Sequence, residues 1–73
     1  MNNDEELIIQ EVYIKTTIKP FTVRSILETS TGFEPLRLNI AIEDLKLKNY
    51  LIENNYGIEL SHEGKAFCQS RWA

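Results

Sequence analysis

The side chains able to do chemistry are few and scattered. There is one histidine, His62, and one cysteine, Cys68. Two possible ligands are too few for a zinc site. A single histidine with no nucleophile and orienting acid assigned to it is not a triad. At the start of a predicted helix, His62 reads as an exposed first-turn residue. Cys68 alone cannot close an internal disulfide, which points to a reducing compartment, and it reads as a small buried hydrophobe. The 3 glycines lie apart, so no phosphate-cradling loop is present. No spacing pairs two of the acidic residues into a general acid–base site. The chain is expected to be non-catalytic, with no metal and no cofactor.

A non-catalytic chain works through its surface, so charge and size come next. The 73 residues make one small domain, with 42% hydrophobic and 26% charged residues, a globular composition. The net charge of -3 argues against a protein whose main task is to coat phosphates, while leaving room for a local basic face. A core this small is marginal, so a dimer or another partner would help stabilise it. Residues 1–6, MNNDEE, are acidic where a signal or transit peptide is basic. No apolar run approaches the ~20 residues that span a membrane. The expectation is a protein away from membranes, in the cytoplasm or in the cytosol of an infected host.

The elements that position the surface follow from caps and periodicity. Asn3 with Glu6 forms a candidate capping box for a helix over about residues 4–16. Leu7, Ile8, Val12, Ile14 and Ile18 supply its apolar contacts. Pro20 ends it, leaving a short extended segment at 18–21. Thr22 caps a second helix over about 23–30, with Val23, Ile26 and Leu27 on one side. Ser30-Thr31-Gly32 turns the chain. The central helix spans about 35–48, with Pro35 at its first position and Asn49 taking the left-handed conformation that stops it. Two strands follow, about 50–53 and 56–60, joined by Asn54-Asn55. Ser61 caps a last helix, about 62–72, with Ala66, Phe67, Ser70 and Trp72 as inward candidates.

The central helix carries two apolar stripes. At about 100° per residue, Leu38, Ala41, Ile42 and Leu45 fall on one side, the expected core stripe. Leu36, Ile40, Glu43 and Leu47 fall together on the opposite side. Either the protein's own helices cover that second stripe, or it meets another chain, as a dimer or with a different protein. In the hairpin, alternation puts Leu51, Tyr56, Ile58 and Leu60 on the core-covering face, with Glu53 at its open end. Tyr50, Ile52, Gly57 and Glu59 share the other face.

The order helix, short strand, helix, helix, strand, strand, helix resembles the winged helix-turn-helix family. The likeness rests on the apolar pair after the central helix, in Leu45-Lys46-Leu47-Lys48-Asn49-Tyr50-Leu51-Ile52. It rests also on Leu60-Ser61-His62-Glu63-Gly64 after the second wing strand, and on Thr22 to Gly32 as the first half of a helix-turn-helix. It covers roughly residues 5 to 72. The resemblance implies an α+β, mostly α fold: three helices, a short β-hairpin wing and a C-terminal helix. It also implies a DNA-binding regulator, usually dimeric, whose central helix enters the major groove of double-stranded DNA. On that reading Arg37 and Asn39 meet bases, while Lys19, Thr22 and Arg24 meet phosphates. The wing departs from many DNA-binding members, because its tip, Glu53-Asn54-Asn55-Tyr56, has no Lys or Arg. The other reading is a protein-interaction winged helix, a dimeric adaptor or a small inhibitor of the kind mobile elements encode. It would use Leu36, Ile40, Glu43 and Leu47. The fold's usual employment tilts the expectation toward DNA.

Overall fold

The first helix begins one residue earlier than its acidic run suggests. In the computed structural model, which describes residues 1–72, Asn2 is the cap. Its Oδ1 accepts from the Glu5 N–H at 2.8 Å, and the Glu5 carboxylate accepts from the Asn2 N–H at 3.1 Å. This is the expected capping box moved back by one position. Glu5 favours that register because its carboxylate, buried against the core, also meets Lys48 Nζ at 2.9 Å.

Among the described residues six elements follow in chain order: α1 (Asn3–Thr16), α2 (Arg24–Thr31), α3 (Pro35–Leu47), β1 (Leu51–Asn54), β2 (Gly57–Leu60) and α4 (His62–Trp72). The fold is α+β and mostly helical, four helices and a two-stranded antiparallel hairpin, in a small winged-helix layout. No described helix is long and apolar enough to cross a membrane.

The core forms where one side of each element converges. From α1 it takes Ile8, Ile9 and Val12, and from α2 Leu27. The whole predicted stripe of α3 is buried: Leu38, Ala41, Ile42 and Leu45. Leu51, Ile58 and Leu60 close it from the hairpin, and Cys68 from α4. In α1 the buried set, Glu5, Ile8, Ile9 and Val12, has the spacing of a single helical stripe. A glutamate fills one of those positions, which hid the stripe in the sequence. Leu7, Ile14 and Ile18, expected as core contacts, are exposed instead. In α2 only Leu27 is buried, while Val23 and Ile26 are exposed.

Three further expectations shift. Thr22 does not cap α2; Val23 takes the cap position without a side-chain hydrogen bond. The backbone of Thr22 is extended and pairs with Ile58, its N–H donating at 2.9 Å and its C=O accepting at 2.7 Å. The hairpin turns one residue later than Asn54-Asn55, because Asn54 pairs with Gly57. Asn54 Oδ1 accepts from the Tyr56 N–H at 2.9 Å, so the first asparagine closes the turn rather than occupying it. A loop moved by one residue leaves every side chain on its face, so Leu51, Ile58 and Leu60 still point to the core. Tyr56, however, now sits in the turn, exposed and stacked on Phe21 at 5.7 Å between ring centroids. In α4 the inward positions are Gly64 and Cys68, with Phe67 and Trp72 half-buried. Ala66 and Ser70 face outward. The helix is turned this way because Ser61 Oγ accepts from the Gly64 N–H at 3.0 Å and Gly64 packs on the Tyr50 carbonyl, where any Cβ would collide.

Candidate interaction face of the central helix

α3 is held at both ends. Pro35 occupies its first turn. At the other end Asn49 has φ 64°. There the Asn49 N–H donates to the Lys46 C=O at 3.0 Å and the Tyr50 N–H to the Leu45 C=O at 2.9 Å. That pair of bonds satisfies the carbonyls a helix leaves open and turns the chain into β1. With the ends fixed and the core stripe seated, the rotation of α3 about its axis is set. The second stripe therefore points away from the body of the protein.

That stripe is open. Leu36 is 69% exposed, Ile40 58% and Leu47 85%, and Glu43 lies exposed between them. The protein's own helices do not cover it. The alternative that the chain wraps its central helix completely is thereby overturned.

The rims of the stripe are ionic, and each has one organiser. On one side Arg24, reaching over from α2, donates from Nε and Nη2 to Glu53 at 2.9 and 2.6 Å, from Nη2 to Glu43 at 2.6 Å, and from Nη1 to Asn39 Oδ1 at 2.7 Å. Lys46 adds contacts to Glu43 at 3.3 Å and Glu53 at 3.1 Å. The Arg24 guanidinium, seconded by Lys46, holds the Glu53 carboxyl down at about 2 despite partial burial. The same two cations hold Glu43 below the usual carboxylate range. On the other side Arg37 grips Asp4 of α1 with two bonds, Nε at 2.8 Å and Nη2 at 2.7 Å, and lies 4.0 Å over the Phe33 ring. The Arg37 bonds lower the Asp4 carboxyl as well. Burial alone would raise Glu5, but Lys48 and the Asn2 N–H outweigh it and the carboxyl is lowered.

The five residues assigned to DNA do not form one basic surface. Arg24 and Asn39 come together, bonded to each other and flanked by Glu43 and Glu53. Arg37 lies on the opposite rim, paired through Nε and Nη2 with Asp4. Thr22 is buried, 3% exposed, and its Oγ1 has no partner among the described residues. Lys19 is exposed, beside a cleft lined by Lys15, Ile18, Phe21, Thr22 and Ile26. Leu36, Ile40, Glu43 and Leu47, the residues expected at an interface, do share one exposed face.

Asp4, Phe33 and Glu53 complete the rims, and no sequence motif announced them. Glu53 stood at the open end of the wing face, and its charge opposite to Arg24 was the one available signal. Elsewhere, Cys68 is buried, its thiol pushed up to about 11 by burial, which keeps it protonated. His62 is exposed. Compared with protein-family models, with curated proteins and with solved structures, the chain matches none.

Proposed function

We propose that this protein is a non-catalytic interaction module on a winged-helix plan, and that it meets another polypeptide through the outer face of α3. The observation that carries this is the open stripe of Leu36, Ile40 and Leu47 on a helix whose core stripe is already complete. Full burial of a Leu or Ile side chain contributes about 1.5–3 kcal/mol. An exposed ion pair contributes about 0–1 kcal/mol. Contacts with the three apolar side chains therefore dominate whatever this face binds.

Duplex DNA fits the same face less well. A helix in the major groove reads bases with Arg, Lys, Asn or Gln at its outer positions. Here those positions hold Leu, Ile and Glu. Among the described residues, six of the 8 basic residues are engaged in ion pairs with carboxylates: Lys15, Arg24, Arg37, Lys46, Lys48 and Arg71. Moving such a cation onto a phosphate leaves its carboxylate unpaired beside a polyanion.

Two measurements test the reading together. A photo-crosslinking residue replacing Ile40 is expected to form a protein adduct in the producing cells, while the same residue at Ala66, exposed on α4, is not. Titration with duplex DNA at about 50 and 200 mM salt is expected to give no salt-dependent binding. DNA affinity that falls with salt and is weakened by Arg37→Ala, with no adduct from position 40, replaces this reading with the DNA-binding one.

A further inference from the structure

We infer that the occupant of the α3 outer face is a second copy of this chain, with the two α3 helices antiparallel across a two-fold axis. This rests on the interaction reading above and names its partner. The stripe Leu36, Ile40, Glu43, Leu47 is spaced four, three, four. That alternation keeps side chains on the seam between two paired helices. The stripe also reads almost alike from either end, leucine outermost and a long side chain at each inner position. In an antiparallel pair Leu36 meets Leu47 of the second copy. Ile40 lies on the aliphatic stem of Glu43, whose carboxylate is already drawn aside by Arg24 and Lys46. Two-fold symmetry makes each contact twice.

Charge selects this direction and register. Arg37 and Asp44 lie on the same flank of the stripe, at about 100° and 80° around the helix from Leu36. Antiparallel pairing sets Arg37 of each copy against Asp44 of the other. Both groups are available for it. Arg37 uses Nε and Nη2 on Asp4, which leaves the Nη1 donors open. The Asp44 carboxylate has no ion pair among the described residues. On the other flank Asn39 comes opposite Lys46. A parallel pair would instead stack Glu43 on Glu43 of the second copy, like charges against each other in the seam.

Sedimentation of the full chain across a concentration series tests this, with Arg37→Asp and Asp44→Arg as the variants. The wild type is expected to pass from monomer to dimer as concentration rises. Each variant places like charges against each other twice and is expected to weaken the dimer about tenfold or more. Mixed in equal amounts, the two variants are expected to recover the dimer, because the mixed pair restores both opposite-charge contacts. Recovery on mixing cannot arise from a folding defect, and circular dichroism of each variant checks the fold directly. A wild type that stays monomeric, or a mixture no better than its components, overturns the inference. A monomer whose position-40 crosslinker captures a different protein overturns the second copy and leaves the interaction module standing. A monomer with no adduct overturns both.

Discussion

The two sides of α3 carry the same large side chains, two leucines and an isoleucine, and meet opposite fates. Leu38, Ile42 and Leu45 are fully buried, while Leu36, Ile40 and Leu47 stand in the open. Hydrophobicity cannot distinguish the sets, because it is equal in both. What separates them is the surroundings. α1, α2 and the hairpin converge on one side, and on the other the neighbours stop at the rims, where Arg24 pairs with Glu43 and Glu53, and Arg37 with Asp4. An apolar side chain contributes to stability only through the surface removed from water. The same leucine is therefore core in one place and a free binding surface in the other.

The sharpest way to break this comparison is to truncate one leucine on each side. Leu45→Ala removes buried volume between packed elements and is expected to cost about 2–5 kcal/mol in denaturant unfolding. An equal loss from Leu47→Ala at a concentration where the chain is monomeric would show that the outer face is core after all.

A smaller effect tests whether the rim holds the open side in place. Glu53 joins β1 to α2 through Arg24 and to α3 through Lys46. Glu53→Gln keeps the shape and removes the charge, and is expected to cost about 1–2 kcal/mol. Acid should have a related effect. The Glu53 carboxyl is held down at about 2, from an ordinary 4.5 that the unfolded chain would recover. Its stabilisation is therefore complete above pH 4.5 and is lost as pH falls from there toward 2. Asp4, Glu5 and Glu43 are lowered too and act in the same direction. Thermal melts of the wild type from pH 6 down to pH 2 should show a falling midpoint, with a shallower fall in Glu53→Gln. Equal slopes in the two would remove Glu53 from the account.

The smallest effect is expected from Leu47→Ala itself. In the monomer it should shift stability by no more than about 0.5 kcal/mol. At concentrations that support association, the apparent loss should grow, because association stabilises the folded state by mass action.

Local signals in the chain carried much of this architecture. Pro35 and Asn49 bracket α3, and the core stripe between them follows from a 3.6-residue period. The hairpin faces follow from alternation and survive a turn misplaced by one residue. Ser61 caps α4 as its type and place suggest. Apart from that turn, the expectations that fail share a cause: they fall at positions that a distant part of the chain decides. Glu5 lies inside because Lys48 meets it there. Thr22 is extended because Ile58 pairs with its backbone. Ala66 and Ser70 face out because Gly64 must face Tyr50.

The candidate site divides the same way. That Leu36, Ile40, Glu43 and Leu47 share a face is a property of helical geometry, and the sequence alone determines it. Whether that face is covered depends on where α1, α2 and the hairpin end, and only the tertiary structure decides that. The ion pairs that occupy Arg24 and Arg37 join residues distant along the chain, Glu53 and Asp4. A charge in a sequence states what a side chain can attract. Its partner is whichever opposite charge the packed core brings within a few ångströms, because the Coulomb energy depends on separation in space and not along the chain.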